Sequence, residues 1–176
     1  MPRTAWRRSA AVLALALVPV LSACSIGVNA GTTTQAPSGN GATANSSSGD
    51  IALRGITIVT GLGASSKATI IGTIVNQSLS QDDVLTGVSV TSPSGATVTV
   101  SGPDAATTIP LPSGRPTSAV RIGFNSDVKV DITGLKVDPS AFATVTFTFE
   151  KAGAVPVSVM AVPPVGIYAG LGPFLN

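Results

Sequence analysis

The feature that most constrains this chain is an alternation with a period of two. In FATVTFTFE (142–150), Val145, Phe147 and Phe149 alternate with Thr144, Thr146 and Thr148. In SDVKVDITGLKV (126–137), Val128, Val130 and Ile132 alternate with Lys129, Asp131 and Thr133. Successive side chains of an extended chain point to opposite faces, so each row reads as a strand with one buried face and one wet face. The same pattern predicts strands over 51–59, 68–76, 84–90, 96–101, 119–124 and 155–161, the last with Val155, Val157 and Val159 inward. TTIPLP (107–112) is broken by prolines and reads as an edge or loop segment, because proline cannot donate to a ladder. The segments AVRIGF and VKVDIT flank Asn125-Ser126 and are expected to form a tight hairpin. No stretch carries a helical period. The expectation is an all-β fold, an antiparallel β-sandwich over residues 50–162.

Composition agrees once the pattern is known. Of 176 residues, 44% are apolar and only 10% charged, and the mean hydropathy is +0.47. No apolar run approaches the roughly 20 residues a membrane-spanning helix needs. The apolar excess lies in short Val/Ala/Ile segments separated by 19 Gly and 13 Pro. One domain with an appendage suits this length better than two cores.

The first fifty residues read as an address and a tether. MPRTAWRRSA is positively charged, and AVLALALVPV is a ten-residue apolar run of the length used by signal peptides. It leads into Leu21, Ser22, Ala23 and Cys24, which resemble the bacterial lipobox. There the peptidase recognises the small residues and the cysteine sulfur becomes a thioether to diacylglycerol. The competing reading is an ordinary secretory signal with an incidental cysteine, but Cys24 is the only cysteine and stands where the box requires it. The Arg7–Arg8 pair is not continued into a twin-arginine motif. The expected organisation is a lipoprotein signal peptide at 1–23, then the lipidated Cys24 with a flexible Gly/Ser/Thr linker to residue 49. The sandwich occupies 50–162, and an apolar tail 163–176. The linker cannot bury enough surface to offset ordering entropy, and as a coil it would span about 25–30 Å. A diacylglycerol anchor would hold the protein at the membrane on the extracytoplasmic face. With Cys24 acylated no thiol remains for a disulfide, so the core alone holds the domain. The tail, VPPVGIYAGLGPFLN, carries Ile167, Tyr168, Leu171, Phe174 and Leu175, and packing on its own domain is favoured over a docking role.

Charge and reactive groups narrow the function. Arg3, Arg7 and Arg8 lie in the address segment, and the seven basic residues left stand against eight acidic ones. With no basic patch and few aromatics, no nucleic-acid partner is expected. The sequence has no histidine, so neither a Ser-His-Asp nor a Cys-His arrangement can be built. A Ser-Lys pair from Lys67 with Ser65 or Ser66, or a carboxylate pair from Asp127, Asp131 or Asp138, has no supporting motif. Asp82-Asp83 reads as a polar turn rather than a calcium loop, since regularly spaced oxygen ligands are missing. The protein is expected not to be an enzyme, and no cofactor is expected.

Two segments carry a family resemblance. IVNQSLSQDDVLTGVSV (74–90) resembles the N-x-(polar loop)-D-x-L-x-G-V segment of periplasmic copper chaperones of the PCu(A)C type. VTFTFEKAGAVPVSV (145–159) resembles their closing hairpin, with its K-A-G turn. With the lipobox, the whole is similar to actinobacterial lipoproteins of the LpqE type. The resemblance implies a cupredoxin-like sandwich, and in the family a Cu(I) site of His and Met side chains, soft ligands suited to that ion. One ligand cluster would fall in VTSPSGATVTVSG (90–102), and a His-x-Met pair at Lys129 and Asp131. Neither carries a His or Met here, so no metal ligand is carried over. Beyond Met1 the only methionine is Met160, on the last predicted strand. The functional expectation is a binding or accessory module of the cell envelope, with an envelope protein as possible partner. The alternative is copper trafficking through a non-standard or partner-supplied site.

Overall fold

A computed structural model describes residues 41–61, 66–114 and 118–173, which fall within one compact unit, Gly39–Asn176. Strands β1 (Ala42–Asn45), β2 (Ile51–Thr60), β3 (Ala68–Asn76), β4 (Asp83–Ser92) and β5 (Thr97–Ser101) come first. They are followed by β6 (Ile109–Leu111), β7 (Ala119–Ile122), β8 (Lys129–Thr133), β9 (Phe142–Phe149) and β10 (Gly153–Val162). Between elements the only helical pieces among the described residues are 3-10 turns at Pro103–Ala105 and Gly166–Tyr168.

The strands run in the order β5-β8-β3-β2-β10-β9-β4-β6, with β1 also on β2 and β7 also on β3. All neighbours are antiparallel except one pair. Ala161 and Val162, the last residues of β10, lie parallel to Ile58 and Val59 of β2. Earlier residues of β10 form a long hairpin with β9, from Gly153 opposite Phe149 to Met160 opposite Phe142. β10 therefore joins a β2-centred half to a β9-centred half, and the sheet curls around a single core.

That core is built from the rows the alternation predicts. Ile51, Leu53, Ile56 and Ile58 of β2 meet Ile70 and Ile74 of β3, Val130 and Ile132 of β8, and Val145, Phe147 and Phe149 of β9. Val155, Val157 and Val159 of β10 also point inward. The all-β expectation holds, and each predicted strand is present within two or three residues of its expected ends.

Two details differ from expectation. First, Ala42–Asn45 falls in the stretch read as flexible linker, yet it pairs with β2 through Ala44 opposite Leu53 and Asn45 opposite Ala52. Short alternating residues suffice there because the neighbouring strand supplies the backbone partners. Second, β7 and β8 do not form a hairpin. Both lie antiparallel to β3, β7 along Gly72–Val75 and β8 along Ala68–Ile70. The turn between them is a loop closed on itself: the Gly123 amide donates to the Val128 carbonyl at 2.8 Å, and the Ser126 amide to the Gly123 carbonyl at 3.1 Å. Gly123 makes this possible with φ +89 and with no room for a side chain, since a Cβ would sit 2.7 Å from Cγ2 of Ile71. The chain leaves the ladder and rejoins it in the same direction, as a bulged strand does. The proline segment, expected at an edge or in a loop, is an edge strand: Ile109–Leu111 pairs with the start of β4 at one end of the strand order. Among the tail's residues, Leu171 is half-buried and Gly172 lies against Pro164 and the Thr60 carbonyl.

Polar side chains lock one end of the sandwich. Asn76, buried, donates from Nδ2 to the carbonyls of Gln81 and Leu111, both at 2.9 Å, and accepts from the Ser78 amide at 3.0 Å. The buried Asp83 carboxylate accepts from the Val84 amide at 2.7 Å and from the Lys151 and Ala152 amides, each at 2.9 Å. These bonds staple the loop before β4 to the β9–β10 turn, and bonds to an ionised acceptor are the stronger kind.

Two stability predictions follow from this packing. Phe147→Ala removes the largest fully buried side chain and should lower unfolding free energy by about 3–5 kcal/mol, read from a urea transition. Asp83→Ala strands three backbone amides and should cost about 2–4 kcal/mol. Its distinctive readout is faster hydrogen exchange at Lys151 and Ala152; unchanged exchange there would refute the staple.

Candidate functional site

The segments in which the family resemblance places metal ligands do come together. β5 pairs with β8, setting Thr97 opposite Thr133, Thr99 opposite Asp131 and Ser101 opposite Lys129. On its other side β8 sets Asp131 opposite Thr69 of β3. Directly opposed residues share a face. Val130 and Ile132 point into the core, so Lys129, Asp131 and Thr133 form the opposite face with Thr97, Thr99, Ser101 and Thr69, the last of them buried.

The chemistry of this face is hard. It offers hydroxyls, one carboxylate and one ammonium, whereas Cu(I) takes thioethers, imidazoles and thiolates. Thr69 turns its hydroxyl back to the Val130 carbonyl at 3.1 Å. Asp131 has Oδ1 buried with no hydrogen-bond partner, and the residues opposite it on the two neighbouring strands, Thr69 and Thr99, bring only hydroxyls. Among the described residues no group of three or more His, Cys, Asp or Glu could hold a metal ion. The residues present do not fit copper.

Met160 does not repair the set. It lies on β10 opposite Phe142, on the outer face of the β9-centred half, while the β5–β8 face belongs to the β2-centred half. Both Met160 and Phe142 are exposed, at 43% and 65%.

A second candidate is a cavity of about 150 Å³ lined by Ser48, Asp50, Asn76, Gln81, Asp83 and Lys151. Its polar groups are largely committed to the fold. Asn76 and Asp83 make the bonds described above, and Lys151 donates from Nζ to the Asp82 carbonyl at 2.7 Å. Asp82 accepts from both the amide and the hydroxyl of Ser113 at 2.7 Å. The Asp82-Asp83 pair is thus a turn-holding device, as the polar-turn reading expects, and not a cation loop.

The catalytic pairs weighed from sequence gain nothing. Ser65 lies outside the described residues, and Ser66 accepts the Leu135 amide through its carbonyl at 3.0 Å. Asp127 sits in the loop before β8, Asp131 on β8, and Asp138 in the turn before β9, with no common cleft described. Leu21, Ser22, Ala23 and Cys24, with the rest of the signal and the linker to residue 40, lie outside the described residues. What sequence reasoning missed is a cleft between β2, β3 and β7 that contains Arg54 and Arg121. Its residues are far apart in sequence, and only strand register unites them.

No family model matches this sequence, and no curated protein matches it. Solved structures do. The copper-bound PCuAC domain from PmoF2 is 24% identical, with a TM-score of 0.55 over 66% of this chain and 95% of that one. The apo PmoF2 PCuAC domain is 22% identical, with a TM-score of 0.56 over 70% and 97%. The apo PCuAC domain from PmoF1 is 18% identical, with a TM-score of 0.54 over 66% and 96%. At these identities the likeness is one of fold, and the fold of this chain is that of the copper-chaperone PCuAC domains.

Proposed function

We propose that this protein is a lipid-anchored, extracytoplasmic lipoprotein of the LpqE type. Its PCuAC-like domain serves as a binding or accessory module of the cell envelope rather than as a copper carrier. The observation that carries the reading is the donor set of the β5–β8 face: Lys129 and Asp131, flanked by Thr69, Thr97, Thr99 and Thr133, stand where the resemblance asks for His and Met. An ammonium repels a cation, and hydroxyls do not compete for a soft one. The lack of any histidine in the sequence supports the same reading and argues against acid–base or nucleophilic catalysis. The anchor is supported by the run of Leu21, Ser22, Ala23 and Cys24 after a signal-like apolar segment.

Copper is tested by a Cu(I) competition titration of the full chain carrying Cys24→Ala, so that the thiol cannot itself bind the ion. No stoichiometric binding is expected. Tight binding that Met160→Leu abolishes would reinstate copper trafficking through a relocated site.

The anchor is tested in cells by incorporation of labelled palmitate. The native chain should take up label, and Cys24→Ala should leave an unlabelled, uncleaved precursor. Equal processing of both forms would remove the lipoprotein reading.

A further inference from the structure

The outer face of the β2-centred half brings together two arginines from different strands, Arg54 of β2 and Arg121 of β7. Arg54 of β2 is opposite Thr73 of β3, and Thr73 is opposite Arg121 of β7. Three residues in register across adjacent strands share one face, with the outer two roughly 10 Å apart at their backbones. Their neighbours Leu53 and Ile74 are buried, so this row points outward. Arg54 and Arg121 are the only arginines among the described residues, and both line the same cleft, of about 300 Å³.

No carboxylate among the described residues neutralises their charge. Arg54 donates from Nη1 to the carbonyls of Ala44, at 3.2 Å, and Leu53, at 2.8 Å. These bonds fix the side chain in place but leave its other N–H donors available. Arg121 is exposed. Neither guanidinium is paired with a carboxylate among the described residues. Planar guanidinium groups are the side chains suited to phosphate and carboxylate.

The remainder of the cleft is apolar. Ile71, next but one to Thr73 on β3, shares its face and is half-buried. Phe124 stands 47% exposed from the loop between β7 and β8, and Leu171 reaches in from the C-terminal tail. A concave site with an apolar wall and a few convergent polar groups is the usual form of a small-molecule site. An inorganic anion would use the arginines and waste the wall; a neutral hydrocarbon would do the reverse.

We propose that the Arg54–Thr73–Arg121 row, walled by Ile71, Phe124 and Leu171, binds a small amphipathic anion: one phosphate or carboxylate group on an alkyl or aryl body. The two guanidinium groups bracket the anionic head, the Thr73 hydroxyl donates to it, and the apolar body lies along Phe124 and Leu171. This gives the binding-module reading a ligand class, yet it uses a different face from β5–β8. A failed ligand titration therefore leaves the copper and acylation results standing.

The test is an NMR titration of the full chain carrying Cys24→Ala, so that no acyl chain of its own can compete. The probes are dodecyl phosphate below its micelle concentration, inorganic phosphate and dodecanol. Dodecyl phosphate should bind saturably, moving the Nε–H signals of Arg54 and Arg121 and the methyl signals of Ile71. Inorganic phosphate and dodecanol should each bind at least tenfold more weakly. Arg121→Gln, an exposed change that leaves the core intact, should weaken dodecyl phosphate about tenfold, and Arg54→Gln at least as much. The proposal is overturned if dodecyl phosphate does not saturate, if Arg121→Gln binds it equally, or if either control probe binds as tightly.

Discussion

The fold depends on a short backbone contact, the parallel pairing of Ala161 and Val162 with Ile58 and Val59. Without it the β9–β10 hairpin and the strands around β2 would be two sheets sharing no ladder, held together by side-chain packing alone. The pairing is only two residues long, but those residues are buried, where an unmade backbone hydrogen bond is costly. Thr60 reinforces the junction by donating its hydroxyl to the Val162 carbonyl at 3.2 Å. The rest follows from geometry: once β10 belongs to both halves, their inward rows face one another and the core closes without a cross-link.

The sequence motifs that carry the family resemblance act at the other end of the same hairpin. Asp83 in the first segment meets Lys151 and Ala152 in the second through its carboxylate, while the Asn76 side chain ties the same loop to itself at Gln81 and to the edge strand at Leu111. Their task is to satisfy buried backbone groups where loops cross the end of the sandwich. Such residues can persist while a metal site elsewhere is lost, because they answer to the fold and not to a ligand. Likeness to copper-binding domains in just these motifs is therefore a statement about architecture. It is consistent with a β5–β8 face whose donors are hydroxyls, a carboxylate and an ammonium.

Much of this architecture was legible from residues alone. Period-two alternation sets which side chains face the core, and Val128, Val130, Ile132, Val145, Phe147 and Phe149 all do. Connectivity was less legible. A short polar turn such as Asn125-Ser126 suits a hairpin locally, yet the register of β7 and β8 on β3 shows a strand interrupted by a closed loop. The choice is made by tertiary pairing, and Gly123 is its only local mark. β1 was invisible for a related reason: the apolar row of Ala42–Asn45 is only Ala42 and Ala44, too short and small to mark a strand until β2 offers partners. The parallel contact of β10 leaves no trace in any local pattern.

The candidate sites divide along the same line. The lack of the family's His and Met at the β5–β8 face could be seen in sequence, since a missing ligand type needs no geometry to detect. A positive site needs geometry. Arg54, Thr73 and Arg121 lie on three strands and join only through register, each looking like an ordinary solvated polar position on its own strand. Their meaning comes from what surrounds them. A charged residue on an outer sheet face is normally screened by water or a nearby opposite charge. Here two arginines share a cleft with Ile71, Phe124 and Leu171, and the first is fixed by two backbone carbonyls. Fixing Arg54 in advance reduces the side-chain entropy lost when an anion arrives, and entropy of that kind is a main cost of binding. The tail enters the same balance, because Leu171 forms part of the wall while Val165 and Ile167 remain exposed beside it. An occupant with an apolar body would extend that wall and cover surface that water now touches, so the tail gains a reason to pack where it does.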